Sequence, residues 1–213
     1  MIPGQDLPRC IDVTLDRSAK NPTIHGCLKC GKEIIRFGSY PYNPDFNNKP
    51  WKLTCPSCGE VFPKNDFGKY YASGIDEKGL FNPSVADRSL LFNTEHPDPN
   101  DTLHTYGVDD GYGYRDSNGN MHRFIGYYAW KYWDHIYNGL GVLSDAYLYT
   151  GDKRYAHKAA IMLDRIADVY PDMDWKPYAE KGWYHSDGGA GNGKIGGRSE
   201  EHTSELQSQN RIS

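Results

Sequence analysis

Two copies of one short motif constrain this chain more than any other feature. Cys27-Leu28-Lys29-Cys30-Gly31 and Cys55-Pro56-Ser57-Cys58-Gly59 are CxxCG knuckles separated by residues 31–54. Two residues between the cysteines let both sulfurs face one ion, and the glycine after the second cysteine permits the tight turn that follows. Four thiolates form a closed tetrahedral site, which is the structural kind and leaves no open position for catalysis. The spacing therefore predicts one structural Zn2+ held by Cys27, Cys30, Cys55 and Cys58. Two disulfides, or a single redox pair, are the competing readings. A redox motif does not come as a matched pair with trailing glycines. Cys10 is left over and reads as a free or buried thiol, and as a second-choice ligand if one knuckle cysteine is displaced.

Periodicity supplies the second constraint. Ile136, Leu140, Leu143 and Tyr147 fall on one helical face, and Tyr155, Ala159, Met162, Ile166 and Val169 repeat the spacing. Gly151 can end the first helix in the left-handed conformation, Asp152 can cap the second, and Pro171 stops it. The pattern predicts an antiparallel helical hairpin over roughly 127–150 and 153–169. Upstream, Asn118-Gly119 between aromatic residues predicts a β-hairpin with a type I′ turn. Residues 63–110 are rich in Pro, Asn, Asp and Gly and read mostly as loop, with one short helix predicted at "NPSVADRSLLF", capped by Asn82. Residues 1–24 are polar and show no period.

Composition narrows the partners. The formal net charge is −4 with acids and bases interspersed, which argues against general nucleic-acid binding. No stretch approaches the length of a membrane span. The start, "MIPGQDLPRC", lacks the basic and apolar regions of a signal peptide: either the protein is cytoplasmic, or its true N-terminus lies upstream in a parent that could be periplasmic or secreted, and the reading leans to the second while leaving the compartment open. Seventeen tyrosines and five tryptophans offer flat apolar faces with polar edges, used both in sugar clefts and in half-wet cores. The segment "YYAWKYWDHIYNG" concentrates them. Tyr128, Trp130 and Trp133 are candidate substrate-contacting residues, against the alternative of a helix buried on several sides. Tyr184 and His185, in the glycine-rich loop "GWYHSDGG", are the other candidates. His25, two residues before Cys27, reads as a neighbour of the zinc site, and His104, His122, His135 and His157 are scattered and carry no motif. The run "GGAGNGKIGG" lacks the phosphate-loop frame.

Residues 198–213, "RSEEHTSELQSQNRIS", follow that run and differ from everything before them. Back-translated, "RSEEHTSELQS" is similar, base for base, to a widely used short-read sequencing adapter. Segments of this kind are left out of fold reasoning. The expectation is a disordered, adapter-derived tail, with Gly197 as the last residue of the protein and the chain a piece of a longer gene.

The blocks "CPSCGEVFPKNDF" and "LYTGDKRYAHKAA", with the sequence linking them, resemble the N-terminal part of bacterial heparinase II/III-like proteins, a family of polysaccharide lyases. The resemblance covers nearly all of residues 25–197. It implies a mainly α fold: an incomplete α/α toroid of helical hairpins over 63–197, preceded by an irregular segment 1–24 and a small zinc-ribbon-like double-knuckle β region at 25–62. It implies β-elimination at a uronic acid in an acidic polysaccharide or oligosaccharide. That reaction needs a group to neutralise the sugar carboxylate, a base to remove the adjacent proton and an acid to protonate the leaving oxygen. In such lyases the neutralising Asn or His and the Tyr lie further along the toroid. No motif here receives them, so no catalytic residue is carried over and the fragment itself is expected to be inactive. A non-enzymatic glycan-binding or helical-repeat module is the alternative. A glycoside hydrolase would need two carboxylates flanking a cleft, and Asp109-Asp110 is a thin basis for one.

Overall fold

The computed structural model describes Leu7, Cys10, residues 13–16 and residues 23–169. Tyr184, His185 and residues 170–213 lie outside the described residues.

The fold is mainly helical with small antiparallel sheets. Strands β1 (Leu15–Asp16) and β2 (Thr23–Ile24) pair, as do β3 (Leu53–Thr54) with β4 (Val61–Phe62) and β5 (Tyr114–Arg115) with β6 (Met121–His122). Helix α1 (Phe67–Ser73) follows β4, and α2 (Phe124–Thr150) and α3 (Lys153–Val169) come last. Short 3-10 turns occupy Lys32–Phe37 and Arg88–Leu90.

The predicted hairpin of helices is present. Gly151 closes α2 with φ 66° and ψ 6°, and its N–H donates to the carbonyl of Tyr147 at 2.8 Å. The left-handed cap is the conformation that glycine adopts without a Cβ clash. Helix α2 starts a few residues earlier than its periodicity implies, because its first turns are apolar on every side and show no amphipathic stripe.

Two local expectations are corrected. The 114–122 hairpin does not turn by a type I′ pair. Gly119 has φ 84°, but Asn118 is not left-handed. Gly119 N–H donates to the Asp116 carbonyl, Asp116 N–H donates to the Asn120 carbonyl, and Asp116 Oδ1 accepts from the N–H groups of Asn118 and Asn120 at 2.9 Å. The Asp116 side chain organises a three-residue loop with glycine at its left-handed position. The helix expected at "NPSVADRSLLF" is also absent. Asn82 Oδ1 accepts from Ser84 N–H at 3.0 Å, which caps one turn only, and Asp87 then caps the separate 3-10 turn. Helix α1 lay in the stretch read as loop. Its signal is Asp66, whose carboxylate accepts from Lys69 N–H at 3.1 Å as an N-cap.

Two apolar clusters flank the first turns of α2. Phe124, Tyr127 and Tyr128 join Val13, Ile34, Tyr42, Leu53 and Phe62 on one side. Ile125 and Ala129 join Leu7, Phe67, Tyr70, Tyr71 and Phe81 on the other. Leu7 and Val13, from the stretch that shows no period, are thus part of the core as single anchors. Trp51 bridges the clusters, with its ring 5.3 Å from Tyr128, 5.2 Å from Phe67 and 4.9 Å from Tyr71. It adopts φ 65°, unfavourable for a bulky side chain, and the surrounding rings hold it there.

A buried polar keystone locks the loop before α2. Asp109 is fully buried, and its carboxylate accepts from the N–H groups of Gly111 at 2.8 Å, Gly113 at 2.9 Å and Ile125 at 3.0 Å. Asn65 pairs reciprocally with the Asp109 backbone at 3.0 Å in both directions. Burial pushes the Asp109 carboxyl up to about 6, against the opposing pull of the Ile125 N–H.

Candidate metal centre

Each knuckle is built by backbone hydrogen bonds that aim its sulfurs inward. Cys27 and Gly31 exchange N–H···O bonds at 2.9 and 2.8 Å, and Gly31 turns with φ 59°. Lys29 N–H points at Cys27 Sγ, 3.4 Å away. The second knuckle sits at the turn of the β3–β4 hairpin. Gly59 N–H donates to the Cys55 carbonyl at 2.9 Å, and Gly59 turns with φ 74°. Gly26 lets the first knuckle close: a Cβ at this position would lie 2.2 Å from the Gly31 carbonyl oxygen.

The folded chain brings all four sulfurs within 4.8 Å of one another. Cys27 Sγ lies 4.0 Å from Cys58 Sγ, and Cys30 Sγ lies 3.8 Å from Cys55 Sγ. A disulfide requires about 2.05 Å, and all four are free thiols. A tetrahedron of sulfurs around an ion at the zinc–thiolate distance of about 2.3 Å has edges of about 3.8 Å. The donor set therefore fits one four-coordinate ion with soft-ligand preference. Among the described residues it is the one group of His, Cys, Asp and Glu side chains gathered for a metal.

Burial divides the set. Cys27 and Cys55 face the core, Cys30 is half-buried and Cys58 is exposed. Burial pushes the Cys55 thiol up to about 12 and also raises Cys30. Cys58 falls below the ordinary thiol value. Its own desolvation acts upward but is outweighed by the Glu60 N–H and by the thiols of Cys55, Cys30 and Cys27. A divalent ion would favour all four thiolates and release their protons.

An ionic belt joins the knuckles to the chain behind them. Glu60 pairs with both Lys29 and Lys64, and Lys64 reaches Glu95 at 2.9 Å. The Lys64 side chain is 5% exposed. Burial pulls its pKa down, but the hydrogen bonds to Glu60 and Glu95 win and raise it. Tyr42 is buried in the same cluster as Cys27 and Cys55. Burial first, then these cysteines, raise its hydroxyl above the usual tyrosine range.

The aromatic candidates are split. Tyr128 is 1% exposed and packs between Trp51 and Phe46, so its ring faces the core. Trp130 and Trp133 are half-buried. Trp130 carries the Lys131 ammonium 4.8 Å from its ring centre and the Tyr40 ring 5.2 Å away. Cys10 is buried and apart from the metal-ligand group; its N–H donates to the Gly126 carbonyl at 3.0 Å. Asn65, Lys64 and Tyr42 carry no sequence signal, since isolated polar residues in a loop-like composition give no period, and Asp109 figures in the sequence only as a thin basis for a hydrolase carboxylate, whereas it is a buried structural acceptor.

None of the described helices is long and apolar enough to cross a membrane. Compared with protein-family models, with curated proteins and with solved structures, the chain matches none.

Proposed function

We propose that the four thiolates hold one structural zinc ion, and that the chain forms the N-terminal part of a polysaccharide lyase acting on uronic-acid polymers. The observation that carries the zinc reading is the sulfur geometry, whose spacings of 3.8 and 4.0 Å match the edges of a zinc–thiolate tetrahedron. All four positions of such an ion are filled by sulfur, so its part is to fix the fold. It ties the segment around Cys27 to the β3–β4 hairpin, and through Tyr42 and Phe62 to the start of α2.

Two things support the lyase reading. The blocks "CPSCGEVFPKNDF" and "LYTGDKRYAHKAA" resemble the family. An α/α toroid repeats helical hairpins of the α2–α3 kind, and the exposed apolar residues Val142, Leu148, Ile161 and Leu163 are compatible with packing against a further hairpin. The chemistry would be proton abstraction beside a neutralised sugar carboxylate, then loss of the 4-linked oxygen. This chain's part is to build one wall of the toroid, and residues 1–213 alone are inactive. The test is ultraviolet absorbance of unsaturated products over alginate, heparin-type and chondroitin-type substrates, using a longer gene product and residues 1–213 side by side. Turnover by the longer protein alone supports the reading. Inactivity of the longer protein on every uronate polymer overturns it.

A further inference from the structure

Tyr42 brings a hydroxyl into the buried cluster that contains Cys27 and Cys55. Its side chain is fully buried, and the hydroxyl has no well-aligned hydrogen-bond partner among the described residues. Water does not reach it. A donor left unmet in a dry core is costly, and phenylalanine would fill the same space without that cost. We propose that Tyr42 is a positioning residue of the metal centre, its hydroxyl donating to the Cys27 sulfur when that sulfur is a metal-bound thiolate. This role rests on the zinc reading and deepens it, because it names a group outside the four ligands that holds one of them.

Three observations carry the assignment. The first is placement. Besides burial, the groups that act on the Tyr42 hydroxyl are knuckle sulfurs: Cys27, Cys55 and Cys30 through their charge, and Cys27 also as a hydrogen-bonding side chain. A thiol sulfur is a weak acceptor and a thiolate a strong one, so ligation gives the hydroxyl the acceptor it lacks. The second is need. Four thiolates around one divalent ion carry net negative charge, and Cys27 and Cys55 hold their share of it inside the core. Cys55 faces the N–H groups of Cys58 and Ser57. Cys27 accepts from the Lys29 N–H at 3.4 Å, and the Tyr42 hydroxyl is placed to add a second donor. The third is rigidity. The Tyr42 carbonyl accepts from the Tyr127 hydroxyl at 2.9 Å, and the two rings meet edge to face with centroids 5.8 Å apart. Helix α2 thus holds the ring, and a donor held this way loses little freedom when its bond forms. An unmet hydroxyl alone is not a site. Tyr70 is also buried without a well-aligned partner, but it belongs to the other apolar cluster, with Phe67 and Phe81, which contains no cysteine.

Tyr42→Phe removes the hydroxyl and keeps the ring. Competitive titration of the full chain with zinc against a chromophoric chelator should give a Kd roughly tenfold to a hundredfold weaker than native, the usual effect of losing a group that hydrogen-bonds a metal ligand. In the cobalt-loaded chain the sulfur-to-metal charge-transfer band should move to longer wavelength, because an O–H donor stabilises the sulfur lone pair that the transition empties. A merely structural role would not move that band. Tyr70→Phe is the matched control and should keep the native Kd and the native band. A native Kd or an unmoved band in Tyr42→Phe overturns the proposal, as does an equal change in Tyr70→Phe. Should Tyr42→Phe not fold, the native chain loaded with spin-active cadmium decides. A Tyr42 hydroxyl proton coupled to the metal through its hydrogen bond supports the assignment, and a hydroxyl proton without that coupling overturns it. Failure of the native chain to bind one metal ion would overturn the zinc reading and this role with it, whereas native binding that Tyr42→Phe leaves unchanged overturns this role alone.

Discussion

Helix α2 begins as core and ends as surface. Phe124, Ile125, Tyr127 and Ala129 are fully buried, whereas Tyr137, Leu148 and Tyr149 are 76, 75 and 89% exposed. The same helix therefore serves two kinds of region. Its first turns are enclosed by aromatic clusters, a buried carboxylate and the four-cysteine group. Among the described residues its last turns pack against α3, and each large apolar side chain left in water forgoes about 1.5–3 kcal/mol of burial. A region rich in loops is closed by specific polar and sulfur contacts. A region of regular helices leaves large apolar side chains exposed among the described residues.

The largest effect should come from removing a sulfur. Cys55→Ser should abolish stoichiometric zinc binding and, with it, the near-ultraviolet circular dichroism of the buried aromatics. Structural zinc sites contribute apparent binding free energies of about 10–16 kcal/mol to folding. Cys10→Ser, outside the site, should retain the metal. Equal zinc content in both variants would break the distinction between the regions.

Gly26→Ala comes next. Its Cβ would lie 2.2 Å from the Gly31 oxygen and 2.4 Å from the Gly31 carbonyl carbon, at a φ of 83°. Both are backbone atoms of the knuckle and cannot swing aside, so the cost should be about 3 kcal/mol or more. Denaturant unfolding at saturating zinc measures it, and a loss below about 1 kcal/mol would show that the knuckle is plastic.

Asp109 gives a smaller effect with a definite pH sign. Its carboxyl lies at about 6 in the folded chain against an ordinary 3.8. A group raised in this way contributes stability fully below the unfolded value, and that contribution is lost as pH rises through about 6. Against Asp109→Asn, which cannot titrate, the stability advantage of the native chain should shrink between about pH 5 and about pH 7.5. Unfolding curves at saturating zinc at the two pH values test this, and a constant gap would contradict it.

At the far end of α2, Leu148→Ser/Tyr149→Ser should change stability by no more than about 0.5 kcal/mol, because neither side chain is buried. It should lower self-association seen by sedimentation. A large destabilisation would mean that this surface is already covered in solution.

Legibility in the sequence follows the range of the interactions. The knuckles could be read because ligand spacing and turn glycines are local. The helical hairpin could be read because its period and the Gly151 cap are local too. The polar keystone could not: Asn65 and Asp109 lie 44 positions apart in sequence, and neither carries a motif. Leu7 and Val13 anchor the core singly, so no period reveals them. The tyrosine-rich start of α2 was ambiguous between wall and core. For Tyr128 the deciding contacts come from Trp51 and Phe46, far upstream.

Whether four sulfurs close residues 27–58 around one metal ion is read by X-ray absorption at the zinc edge, with metal counting on the purified chain. One zinc per chain with four sulfur neighbours at about 2.3 Å is the expected result. A folded, zinc-free chain whose four cysteines are joined in disulfides, or a bound zinc with nitrogen or oxygen in its first coordination sphere, would contradict it.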